Sequence, residues 1–315
     1  MQSDRDALGS ATENAPLDVV TGAFGYTGGA IAQELLRRGR RVRTLTGHPS
    51  RPGADRRIES HPYSFEDPEA LRRSLDGVST FYNTYWIRFA RSDLTFEQAI
   101  ANSALLFAAA NDAGVRRVVH VSVSNPAADS PYPYFRGKAE VEQILAATHP
   151  SWAVVRPTVI FGSGDILLNN IAWLLRRFPV FFIPGDGCYR LRPIHADDVG
   201  SLCANLGSER ETRTVNAVGP DTFTFEEMVR AIREAAEVRS RLIHTPPRLA
   251  MLGSSIVGTL VRDVVLSKHE LGGMMAEDAF TDSATTGARR LVDWLADQGR
   301  ELGRTYASEL ERHFR

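Results

Sequence analysis

The feature that most constrains this chain is a glycine-rich turn close to its start. Thr21-Gly22-Ala23-Phe24-Gly25-Tyr26-Thr27-Gly28 is a G-x-x-G-x-x-G element. It follows a short apolar run, Asp18–Thr21, and precedes a segment, Gly28–Arg38, that carries Ile31 and Leu35 at helical spacing. A strand that turns through glycines into a helix brings backbone N–H groups to the positive end of the helix. That is what a dinucleotide pyrophosphate requires, and the strand–turn–helix context is what gives a glycine motif its meaning. Gly22, Gly25, Tyr26, Thr27 and Gly28 are the expected contacts.

The rest of the N-terminal half repeats short strands and helices. Arg41–Thr46 alternates as a strand does, and Glu66–Leu75 has the look of a helix. Val78–Asn83 reads as a strand, and Leu94–Ala113 as a long helix stopped by Gly114. Arg117–Ser122, Tyr134–Ala147 and Ala153–Arg156 continue the alternation as strand, helix and strand. Repeated βα units predict an α/β fold, a Rossmann-type doubly wound parallel sheet with helices on both faces. Past about Pro157 the rhythm changes, and helices dominate from Thr224 onward. Thr224-Phe225-Glu226-Glu227 has capping-box form and opens a helix over Phe225–Glu237. The organisation expected is a disordered lead-in over 1–16, a dinucleotide-binding domain over 17–160, and a smaller, mostly helical substrate region over 161–315 with some segments returning to the sheet.

Composition narrows the classes. The 37 basic and 38 acidic residues nearly cancel, which argues against a nucleic-acid binder or a polybasic membrane binder. The two cysteines, Cys188 and Cys203, make neither a disulfide framework nor a cysteine zinc site, and no His/Asp cluster implies a metal. The start lacks the apolar core of a secretory signal. Leu249–Val261 is apolar but too short and too interrupted to span a membrane, and reads as a buried or surface-packed helix. A cytoplasmic location is expected, a homodimer is left open, and no nucleic-acid partner or membrane span is foreseen.

The 2′ position of the nucleotide can also be read. Binders of NAD place an acidic residue about 20 residues beyond the glycines. Here Leu35–Ala54 contains no acid but holds six arginines and His48. A guanidinium favours a 2′-phosphate, which a carboxylate would repel. Thr46 stands at the strand end where the acid would sit, with His48 and Arg51 expected near the phosphate. NADP(H) is therefore the expected cofactor, in preference to NAD(H).

Of 37 basic residues only Lys138 and Lys268 are lysines, and Lys138 lies one helical turn from Tyr134 in Tyr134-Phe135-Arg136-Gly137-Lys138. A phenol is a poor acid or base at neutral pH, with a pKa near 10. A neighbouring ammonium lowers that value, so Tyr134 can move the substrate proton while the cofactor carries hydride. Ser124, at the end of Ser122-Val123-Ser124, is placed to hydrogen-bond the substrate oxygen.

The glycine loop, the serine and the Tyr134/Lys138 pair together resemble the short-chain dehydrogenase/reductase superfamily, in its extended and atypical branch of NAD(P)-dependent epimerase/dehydratase-like proteins. The resemblance runs from about Leu17 to the C-terminal helices. It implies that Asn102 is the family's helix asparagine in the catalytic set. It places Ser64 and Phe65 beside adenine, with a serine where the family has aspartate. Asn83, Thr84 and Tyr85 follow the strand that lines the cofactor, along with Ser122. It implies that Lys138 also grips ribose hydroxyls, and that Pro157 and Val159, in Arg156-Pro157-Thr158-Val159-Ile160-Phe161-Gly162, bring backbone to the nicotinamide amide. Arg192–Asp198 matches a late H-x-x-D segment of structural role. Trp86, Arg88, Phe161, Asn169, Asn170, Arg192 and His195 are the substrate candidates. Only ten positions separate Ser124 from Tyr134, fewer than in many extended members. The function expected is an NADP(H)-dependent oxidoreductase acting on a carbonyl or hydroxyl of a small organic metabolite. The alternatives are an epimerase or dehydratase using the cofactor transiently, and a non-catalytic redox sensor or assembly protein, since some atypical members keep fold and cofactor without turnover.

Overall fold

The computed structural model describes residues 15–50, 53–90, 94–263 and 266–308. Most of the expected lead-in, 1–14, lies outside them, as does Arg51. In chain order the elements are β1 (Leu17–Thr21), α1 (Tyr26–Arg37), β2 (Arg41–Thr46), β3 (Ile58–Pro62), α2 (Pro68–Arg73), β4 (Val78–Asn83), α3 (Phe96–Asp112), β5 (Arg117–Val121), α4 (Pro133–Thr148) and β6 (Trp152–Pro157). Then come β7 (Ile160–Phe161), α5 (Leu167–Arg177), β8 (Val180–Pro184), β9 (Arg190–Leu191), β10 (Ile194–His195), α6 (Ala196–Ser208), β11 (Arg213–Ala217), β12 (Phe223–Thr224), α7 (Phe225–Ala235), β13 (Arg241–Thr245), α8 (Pro247–Val261), α9 (Lys268–Met275) and α10 (Leu291–Gln298).

Seven strands form one sheet in the order β11-β6-β5-β4-β1-β2-β3, every pair parallel. β1 and β5 are buried along their whole length, Asp18, Arg117 and His120 included, which is why neither alternates apolar with polar residues. The strand order reverses beside β1, between β4 and β2. In open parallel sheets a ligand crevice forms at the strand carboxyl ends at such a point. One core packs α1 and α6 on one face of the sheet, through Ile31, Leu35, Val199 and Cys203. The other packs α3 and α4 on the opposite face, through Leu106, Phe107, Val141 and Leu145.

From Phe161 onward the described residues build a third core from α5, β8, α7 and α10, with Phe161, Leu168, Phe181, Met228 and Leu295. Thr224 and Glu227 make the reciprocal capping-box bonds that open α7. β11 is the segment of this half that returns to the sheet, pairing with β6. Among the described residues no helix is long and apolar enough to cross a membrane, and no group of side chains is arranged to hold a metal.

Candidate active site

The glycine turn closes on itself. The Gly25 N–H donates to Gly22 O at 2.8 Å, and Gly22 has φ +63°. A side chain at Gly28 would put its Cβ 2.3 Å from Gly22 O, so the helix can approach the loop only because this residue has none. Gly25 caps α1 without a side-chain bond, and no acidic residue occupies the first turn of that helix. The first N–H groups of α1 therefore face the cavity with no acidic side chain of their own helix beside them, a fit for pyrophosphate.

Thr21 ties this loop to the neighbouring strand end. Its hydroxyl oxygen accepts from the backbone N–H of Thr84 (2.6 Å) and Tyr85 (3.0 Å), and its carbonyl accepts from the Thr84 hydroxyl. Asn83 is wholly buried in the same knot, its amide oxygen meeting the Thr21 hydroxyl at 3.1 Å. It thus holds the strand end rather than facing the cavity.

One cavity of about 1310 Å³ runs from the glycine loop into the C-terminal half. It brings together Gly22, Gly25, Tyr26, Thr27, Gly28, Thr46, His48, Phe65, Thr84, Tyr85, Asn102, Tyr134 and Val159 among the expected residues, with Trp86, Arg88 and Asn170 from the substrate set. Tyr63 also lines it and was not foreseen. It stacks on Phe65 at 5.0 Å, and both rings contact Tyr85. The Tyr85 hydroxyl accepts from the Asn102 side chain at 2.7 Å. The flat Tyr63–Phe65 stack suits a purine face. Ser64 between them has φ +49° and does not line the cavity.

The Tyr134 ring is half-buried at the start of α4, edge-on to Trp86 (6.1 Å), Phe96 (6.4 Å) and Phe135 (5.4 Å). Lys138 is 3% exposed, donates to Val121 O at 2.9 Å, and lies 4.9 Å from the centre of the Trp86 ring. Burial pulls the ammonium down to about 7. Trp86 packs directly over Gly137, where a Cβ would meet its ring at 2.7 Å. The indole is therefore a shared wall for the tyrosine and the lysine. No sequence pattern announced it.

Several expected residues do not line the cavity. Ser124 is wholly buried, and its hydroxyl donates to Pro157 O at 3.1 Å, because the β5–β6 junction encloses it. Ser122 and Pro157 are buried behind it. Phe161 belongs to the third core, and His195 caps α6 by accepting from Asp197 N–H. Asn169 bonds Gly303 N and Thr305 O, and Arg192 bonds the carbonyls of Gly219, Thr281 and Ser283. Asn169 and Arg192 thus fasten distant segments of the C-terminal half, which explains why they stand in an otherwise apolar region. Asn170, although it lines the cavity, also holds Ala307 through both of its amide atoms.

The arginine run is mostly engaged elsewhere. Arg37 and Arg38 pair with Glu34, Arg40 forks onto Asp18, and Arg43 reaches Glu59. At the end of β2 the cavity wall is Thr46, Gly47 and His48, a stretch without a carboxylate.

Residues 22–164 match the NAD(P)H-binding family. The chain is 23% identical over 274 residues to the mitochondrial NADH dehydrogenase (ubiquinone) 1 alpha subcomplex subunit 9 of Arabidopsis thaliana, covering 82% of this chain and 66%, just under two thirds, of that protein. It is 28% identical over 243 residues to the ceramide reductase of Caulobacter vibrioides, covering 75% of each. The crystal structure of the Citrobacter sp. triphenylmethane reductase complexed with NADP(H) superposes with a TM-score of 0.68 at 18% identity, over 90% of this chain and 99% of that one. Residues 22–164 thus resemble an NAD(P)H-binding domain. The chain as a whole has the fold of the extended short-chain dehydrogenase/reductases, the branch its motifs resemble.

Proposed function

We propose that this protein is an NADP(H)-dependent reductase of a carbonyl carried on a long apolar substrate. One observation carries the reading: the glycine loop, Tyr134 and an apolar chamber open into the same cavity. The chamber is walled by Ile166, Leu167, Leu174, Phe178, Val180, Phe182, Val257 and Met274. The lining beyond Tyr134 is mostly apolar, so an apolar substrate suits that end of the cavity better than a small polar metabolite. The resemblance to a ceramide reductase agrees with that choice.

When bound, the nicotinamide cofactor supplies the hydride. The residues of this chain do the rest. The α1 N-terminus and the glycine loop would hold the pyrophosphate. The Tyr63/Phe65 pair would receive the adenine, and Thr46 and His48 would meet the 2′ position. Tyr134 donates its proton to the carbonyl oxygen, and its aromatic surround of Trp86, Phe96 and Phe135 keeps water from the reacting carbon.

The test is NADPH oxidation with a series of methyl ketones of increasing chain length. Each buried methylene is worth ~0.8 kcal/mol, so kcat/KM rises about fourfold per carbon until the chamber is filled. A flat series rejects the apolar substrate. A second reading, cofactor binding without turnover, is favoured by the turned-away Ser124 hydroxyl and by the engagement of Lys138 with Val121 O and the Trp86 ring. Under that reading no ketone is reduced, although NADPH binds.

A further inference from the structure

The outer face of α8 carries a feature that the nucleotide end of the cavity does not use, although Phe182 and Ile256 at its edge also border the apolar end. Among the described residues, the large hydrophobic side chains that stand exposed are Phe182, Ile243, Leu249, Leu252, Ile256 and Leu260. Four lie along α8, with Leu252 and Ile256 each 58% and Leu260 72% exposed. The other two continue the same surface. Ile243 and Phe182 are register partners across β13 and β8, and the Phe182 ring packs beside Gly253 of α8. The helix buries only Ala250, so its packing against the protein does not account for its apolar character.

We infer that α8 and the Phe182/Ile243 pair form a docking face for an anionic membrane surface, on which the helix lies in the interfacial plane. Three observations select a bilayer over a protein partner. First, the polar side chains on this face need no water: the Ser255 hydroxyl donates to Met251 O and the Thr259 hydroxyl to Ser255 O, both at 2.9 Å, so each is satisfied inside the helix. Second, the stretch from Val238 to Arg262 contains no acidic residue and four arginines, Arg239, Arg241, Arg248 and Arg262, all exposed. Arg248 and Arg262 bracket the apolar stretch, as cations do where a helix sits between acyl chains and phosphates. Third, the inner face of α8, through Ala250, Gly253, Ser254 and Val257, lines the cavity itself. An apolar substrate can then pass from the bilayer into the chamber along this helix. That last link rests on the substrate reading above; the docking does not.

The test uses the full chain with vesicles of phosphatidylcholine alone or mixed with phosphatidylglycerol, followed by flotation. The chain is expected to float with the anionic vesicles, to float poorly with the neutral ones, and to lose about tenfold in affinity when salt is raised. Leu252→Glu combined with Leu260→Glu changes two exposed side chains that do not line the cavity. It should abolish flotation while leaving circular dichroism and the affinity for NADPH as in the parent. Arg241→Glu with Arg248→Glu should remove the preference for anionic vesicles. The inference is overturned if the parent chain does not float, if the double glutamate variant floats as well as the parent, or if that variant converts a dimer to a monomer in light scattering, since the face is then an interface between two copies. Flotation needs no turnover. Loss of docking with a rising ketone series leaves the substrate reading standing, and flotation with a flat ketone series does the reverse.

Discussion

Tyr134 and Lys138 are separated by one helical turn, yet the structure gives them different tasks. The tyrosine ring lines the cavity, whereas the lysine is sunk beneath Trp86. If Tyr134 is the proton donor, Tyr134→Phe lowers kcat by about 10²–10⁴-fold with the NADPH affinity unchanged, in steady-state kinetics paired with a binding titration. An unchanged kcat removes the tyrosine from the chemistry. Lys138 has a pH signature of its own. The folded chain holds it at about 7, against 10.5 for a free lysine. Above both values it is neutral in the folded and unfolded chain and has no effect. Between them only the unfolded chain takes up the proton, so its contribution turns increasingly unfavourable as pH falls from about 10.5 to about 7, and is complete below. Lys138→Met removes that contribution. Its melting temperature relative to the parent should therefore be highest near pH 7 and decline as pH is raised toward 10. A difference that does not change with pH contradicts the burial argument. The pairing of tyrosine and lysine was legible in the sequence because lysine is so scarce here. Trp86 was legible only as one aromatic among several, since nothing local reveals that Gly137 leaves room for it.

At the scale of elements, the glycine turn and α1 were readable because their logic is local: a strand, a tight turn and a helix start adjoin in sequence. Gly28→Ala tests that logic. Its methyl group would collide with the Gly22 carbonyl, which cannot swing away as a side chain can. The expected outcome is a loss of about 1–3 kcal/mol in chemical denaturation, together with loss of NADPH binding. A variant with parental stability and affinity shows that the loop does not depend on that approach. The capping box opening α7 was likewise visible, and Thr224→Ala should cost about 1 kcal/mol in the same assay. What escaped was non-local. β3, with its half-exposed Ile58–Pro62, has no clear alternation. Ser124 looks like a substrate contact until the neighbouring strand end encloses it. Arg192, Asn169 and His195 are polar residues of the kind that bind ligands, and only the fold shows the first two bonded to distant backbone and His195 capping its own helix. The arginine run suggested a cationic 2′ site, but most of it is spent on Glu34, Asp18 and Glu59.

For the whole molecule, the near-zero net charge conceals a segregated one. The acid-free stretch around α8 is offset elsewhere, so a formal total of −1 carries no information about the surface that the helix presents. The cavity is also a property of the assembled chain. Its nucleotide end is built by the N-terminal sheet, its apolar end by β8, α5 and α8, and neither half contains it alone. The proposed reading requires this cavity to receive a phosphorylated nicotinamide nucleotide at the α1 end. Calorimetric titration of the full chain with NADPH and, separately, NADH measures it directly. One nucleotide per chain should bind, with NADPH the tighter of the two because Thr46, Gly47 and His48 present no carboxylate to the 2′-phosphate. The absence of heat with either nucleotide contradicts the claim, and tighter binding of NADH contradicts the reading of the β2 end.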